Sequence, residues 1–117
     1  MENRNFTRVT FSGNASIKYN DKVWLGNIEN ISLQGFFIKT KHKLPLNRSL
    51  EVTISHSDNY LINLHASVVR NNDDGFGMKI RDLDVNSFVH LRDVVSQQCN
   101  DQAIIMNETY KMLRCIH

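Results

Sequence analysis

"VTFSGNASIKY", Val9 to Tyr19, puts Val9, Phe11, Ala15, Ile17 and Tyr19 on one parity and Thr10, Ser12, Asn14, Ser16 and Lys18 on the other. Successive side chains of an extended strand point to opposite faces, so this period of two predicts a strand buried along one side only. The same pattern recurs down the chain. Asn20-Asp21 is a turn pair whose side chains can bond their own backbone, Val23 to Ile31 reads as the returning strand, and Gly26 marks a bulge or bend in it. Phe36 to Thr40 is a short third strand, and Lys41 to Arg48, with the single proline Pro45, reads as a surface loop. Leu50, Val52 and Ile54 alternate again, and Ser57-Asp58-Asn59 supplies a turn. Ile62, Leu64, Ala66 and Val68 then face away from Asn63, His65 and Ser67. After the turn cluster Asn71 to Gly75, the residues Phe76, Met78 and Ile80 close the series.

Six antiparallel strands at regular spacing favour a small closed barrel, because closure removes the exposed sheet edges that invite aggregation. The pattern changes at Asp84, a good N-cap for a helix carrying Val85, Phe88, Val89, Leu91, Arg92 and Val95, spacings that put most of its apolar residues along one stripe. Asn100-Asp101 either bends this helix or caps a second one through Ile105, Met106, Tyr110, Leu113 and Ile116. The expected fold is therefore mainly β: a six-stranded antiparallel barrel with a C-terminal α-helical extension. With 117 residues and 13.6 kDa, the chain can bury roughly two thirds of its unfolded surface in one core. The expected organisation is a single domain over 1–117, with a flexible arginine-bearing arm at 1–8, the barrel at 9–81 and a helical tail at 84–116.

Hydrophobic residues make up 41% and charged residues 22%, an ordinary composition for a folded domain. A net charge of +2 gives no general attraction for nucleic acid or anionic membrane, so an anionic ligand would have to be caught locally. No apolar run approaches the roughly 20 residues that span a bilayer, and membrane insertion is not expected. Cys99 and Cys115 are too far apart for a CxxC pair, and no secretory leader precedes the first strand, which reads as a reducing, cytoplasmic setting.

Two constellations stand out. "RNFTRV" sets Arg4 and Arg8 four positions apart just before the first strand, and guanidinium groups match phosphate or the O6/N7 edge of guanine. "NISLQG", Asn30 to Gly35, places an amide, a hydroxyl and a side-chain-free backbone within six positions between the second and third strands. Taken singly, terminal arginines are ordinarily solvated, and Asn, Ser and Gly make turns through local hydrogen bonds or a positive φ.

Together, an RxxxR pair ahead of the first strand and an [Asp/Asn]xSxxG turn between strands two and three resemble the PilZ domain family, whose members bind cyclic di-GMP. "GFGMKI", Gly75 to Ile80, is similar to that family's closing strand. The resemblance implies that Arg4 and Arg8 grip phosphates and guanine Hoogsteen edges, while Asn30, Ser32 and Gly35 meet a guanine from the barrel face. Asn3 stands where many members carry a further arginine, a position associated with holding one ligand or an intercalated pair. Asn30 replaces the commoner aspartate and gives up a charged acceptor.

The implied function is a non-enzymatic bacterial receptor that changes conformation on binding and signals to a protein effector. No cofactor, metal or catalytic group is expected. His42, His56, His65, His90 and His117 lack metal-ligand spacing, and neither cysteine has an evident histidine partner. A second reading is a small barrel for single-stranded nucleic acid, using Arg4, Arg8, Lys39, Lys41 and Trp24, although its basic groove would be weak. A third is a PilZ-like adaptor that no longer binds nucleotide. The apolar tail residues Ile104, Ile105, Met106, Met112 and Leu113 either pack over the barrel end or form a homodimer or effector surface.

Overall fold

The computed structural model describes residues 6–57 and 60–117. Six strands, β1 (Val9–Tyr19), β2 (Lys22–Ile31), β3 (Gly35–Lys39), β4 (Leu50–Ser57), β5 (Tyr60–Asn72) and β6 (Gly75–Leu83), form a closed antiparallel barrel. The order around the ring is β1-β2-β3-β6-β5-β4, and β4 pairs back onto β1. Alternation explains the interior: Val9, Phe11, Ala15 and Ile17 of β1 are buried, as are Val52 and Ile54 of β4 and Ile62, Leu64, Ala66 and Val68 of β5. Ile17 is fully buried between its register partners Trp24 on β2 and Val52 on β4. The β1–β2 turn has Asn20 in the left-handed region at φ 55°, a conformation asparagine tolerates better than most residues.

The β5–β6 hairpin is longer than the sequence suggests. Its turn is only Asp73-Asp74, and β6 runs past Ile80 to Leu83. The polar residues Asn71, Asn72, Arg81 and Asp82 mask this extension, because ladder hydrogen bonds do not depend on side-chain polarity. Asp82 therefore lies inside β6, where its carboxylate meets His65 Nδ1 at 2.8 Å across the ladder from β5.

Helix α1 (Val85–Gln97) starts at Asp84, whose carboxylate accepts the Ser87 N–H at 3.3 Å. Its inner face is Ser87, Phe88, Leu91, Val94 and Val95; Val85 and Val89, expected on that stripe, point outward. The stripe is turned because Ser87 is drawn onto the barrel, its hydroxyl accepting the Asn63 N–H of β5 at 2.8 Å. The tail is not one bent helix. Asp101 caps a separate α2 (Gln102–Lys111) by accepting from the Ala103 and Ile104 amides. A 3-10 turn at Leu113–Cys115 then leads back to β6, where the His117 N–H donates to the Leu83 carbonyl at 2.9 Å. No helix among the described residues is long and apolar enough to cross a membrane.

Candidate functional site

Strand register shifts decide which side chains reach the outside of the barrel next to the β2–β3 turn. Ile28 pairs with Ile38 and Asn30 with Phe37, so β2 spends one extra residue, Glu29, against β3. That bulge lets Ile28 and Ile31 both point inward while Asn30, between them, faces out. A second bulge does the same on β5: Val68 pairs with Met78 but Arg70 with Gly77, leaving Val69 extra and Arg70 exposed.

The turn after β2 is held by its own serine. Ser32 Oγ accepts the N–H groups of Gln34 and Gly35, each at 3.1 Å, and donates to the Gly35 carbonyl at 3.2 Å. Ser32 N–H also donates to that carbonyl at 2.8 Å, and the Gln34 carbonyl accepts from Ile80 N–H at 2.7 Å. Leu33 at the tip is fully buried, so the turn folds into the barrel rather than away from it. Ser32 is itself buried, its hydroxyl engaged with the turn's own backbone. Gly35 has no positive φ; glycine is required there because a Cβ would run into the Met78 carbonyl of β6.

Arg8 and Asn30, 22 residues apart in sequence, meet at the outer surface: the guanidinium donates to Asn30 Oδ1 at 2.5 Å. With Phe36, Phe37, Val69, Arg70, Gly77 and Met78 they line an open hollow of about 220 Å³. Two guanidinium side chains, one amide and the half-buried Phe37 ring are suited to a planar, anionic, hydrogen-bonding molecule. Arg4 lies outside the described residues, as does Asn3. Residues Phe6 to Arg8, read from sequence as the end of a flexible arm, are anchored: Phe6 is buried and Thr7 is hydrogen-bonded to α2.

Arg70 was not among the residues marked by sequence, since it sits in a polar run before a turn. Only the β5–β6 register brings it beside Arg8. Of the lysines weighed for a nucleic-acid surface, Lys39 closes β3 with its charge already engaged. Lys39 is paired with Glu29 at 3.0 Å, which raises its pKa, mainly through that hydrogen bond. Trp24 packs partly against the core and stacks on His42, with centroids 6.0 Å apart, so its ring is not a free platform for a base.

The architecture is thus a closed six-strand barrel in which an arm preceding β1 converges with a turn between β2 and β3. The chain belongs to the PilZ domain family, whose model matches residues 2–97. No relative was found among curated protein sequences. Among solved structures, the inhibitor of motility MotI/DgrA of Bacillus subtilis is similar with a TM-score of 0.68 at 15% identity, over 84% of this chain and 52% of that one. Escherichia coli YcgR in complex with c-di-GMP is similar with a TM-score of 0.67 at 8% identity, covering 93% of this chain and 50% of that one. The MrkH–c-di-GMP complex of K. pneumonia matches 58% of this chain and 31% of its own at 18% identity, with a TM-score of 0.50. The chain spans about half the length of MotI, and at these identities the likeness is one of fold.

Proposed function

We propose that the protein is a receptor for cyclic di-GMP, bound in the hollow where the arginine arm meets the Asn30 face. The observation that carries this reading is the Arg8–Asn30 hydrogen bond, which joins two motifs distant in sequence at one open surface. Family membership supports it, as do the c-di-GMP complexes of YcgR and MrkH. Arg8, with Arg4 from the same motif, supplies charge-assisted donors to phosphate and guanine, and Asn30 offers both a donor and an acceptor. Ser32 and Gly35 serve the site by fixing the turn that presents Asn30. Arg70 adds a second cation to the lining of the hollow. No step of this reading involves bond chemistry, and the output passes to a protein effector through the helical tail.

Isothermal titration with cyclic di-GMP, with GTP and a short single-stranded oligonucleotide as controls, tests the proposal. Saturable binding of cyclic di-GMP alone is the expected result, and its stoichiometry reports whether one ligand or an intercalated pair is held. A folded protein that gives no heat with cyclic di-GMP refutes the receptor reading.

A further inference from the structure

Glu108 is an unusual side chain for an outer helix. It is a carboxylate only 4% exposed, on a helix whose other buried residue is Ile105. Its Oε2 accepts both the backbone N–H and the hydroxyl of Thr7, each at 2.8 Å, across 101 residues of sequence. Its Oε1 is buried and has no hydrogen-bond partner among the described residues. A half-satisfied buried carboxylate is a poor device for stability, because desolvation of the charge is offset by donors on one oxygen alone. What the arrangement does achieve is positional: Thr7 immediately precedes Arg8.

The neighbouring contacts act on the same short segment. Phe6 is buried, and the Lys111 ammonium of α2 lies 5.7 Å from the centre of its ring. From the end of α1, Gln98 Nε2 donates to the Thr10 carbonyl at 2.5 Å. The helical tail thus holds the chain on both sides of Arg8, at Phe6 and Thr7 before it and at Thr10 after it. Arg8 itself projects to Asn30 in the hollow.

We infer that Glu108 is a positioning residue that couples α2 to the ligand site: its grip on Thr7 pre-orders the segment carrying Arg8, and ligand in the hollow in turn steadies α2. The inference rests on the cyclic di-GMP reading and extends it to how that site is controlled. Coupling between two sites is reciprocal, so whatever displaces α2, a partner protein included, weakens ligand binding by the factor by which ligand resists that displacement. The exposed α2 residues Met106 and Tyr110 then lie on the element that the ligand steadies.

The test compares Glu108→Ala, Glu108→Gln and Thr7→Ala by titration with cyclic di-GMP and by hydrogen–deuterium exchange with and without it. Releasing one or two residues of the arm costs ordering entropy on binding, so Glu108→Ala is expected to weaken affinity about tenfold. In the wild type, saturating ligand slows exchange in α2; in Glu108→Ala it does not. Glu108→Gln keeps a carbonyl oxygen for the Thr7 donors and retains most of both effects, whereas Thr7→Ala, altered only on the arm side, weakens binding severalfold. A folded Glu108→Ala with wild-type affinity, or with undiminished slowing in α2, overturns the inference. Should Glu108→Ala not fold, unchanged affinity in Thr7→Ala overturns it instead. If the wild type binds no cyclic di-GMP, the receptor reading fails separately and the latch is judged on the ligand-free protein. There, exchange across Thr7 to Phe11 must quicken in Glu108→Ala and not in Glu108→Gln, and no change refutes it.

Discussion

Arg8 and Gly35 show how differently two residues of one motif set can matter. Arg8 is exposed and reaches the hollow from the start of the barrel, so Arg8→Ala removes charge-assisted contacts without touching the interior. Titration of that variant with cyclic di-GMP is expected to show binding weaker by about 1.5–3 kcal/mol, with an unchanged thermal midpoint. Gly35 is the reverse case. A methyl group there collides with the Met78 carbonyl, so Gly35→Ala forces β3 and β6 apart and destabilises the fold by about 2 kcal/mol or more. Chemical denaturation measures this directly; a fully stable Gly35→Ala would mean that the two strands do not approach so closely. The residues of the candidate site stand out in the sequence, but how each is held in the fold does not. "NISLQG" leaves Ser32 a choice between bracing its own turn and meeting a ligand, and in the structure it is buried with its hydroxyl bonded to the turn's backbone, because whether a serine bonds outward or to its own turn depends on the φ and ψ of the next three residues.

Among the elements, α1 gives the sharpest electrostatic expectation. Hydrogen bonds from Ser87, the side chain first and then the backbone, together with the Asn86 N–H, hold the Asp84 carboxyl below the usual carboxylate range against a smaller desolvation effect. A carboxyl with a depressed folded pKa stabilises the folded state above its unfolded pKa, near 3.9, and loses that contribution as pH falls through the folded value. Asp84→Ala should therefore cost about 1 kcal/mol at neutral pH. The difference between the variant and the wild type should shrink below about pH 4, as urea unfolding followed across pH would reveal. Alternation identified most strands, since a barrel wall buries one face and leaves the other wet. It could not supply register. The bulges at Glu29 and Val69 that expose Asn30 and Arg70 are set by the pairing with the next strand, which alternation within one strand does not record. The mixed composition of α2 likewise hides which of its residues turn inward, and Glu108, polar in sequence, gave no sign of burial.

For the molecule as a whole, closure ties the interior together. Ile17 contacts both neighbouring strands from a fully buried position, and β1 pairs with β2 on one side and β4 on the other. Ile17→Ala is expected to lose about 2–5 kcal/mol. Unfolding of the wild type followed by Trp24 fluorescence and by far-ultraviolet circular dichroism should coincide, because a small single core opens as a unit. Two separated transitions would show that the barrel and its helices melt independently.

The ring of strands also constrains how this protein is recognised. Many signalling modules capture a peptide by letting it extend a sheet, using main-chain hydrogen bonds that are nearly indifferent to sequence. Here the strands close in a ring, and unpaired edge is confined to short stretches such as Lys22–Gly26 of β2, which pairs with β1 but extends past β3, so that promiscuous mode has little room. Most of the outer surface is therefore read through side chains, and binding there is correspondingly sensitive to single substitutions.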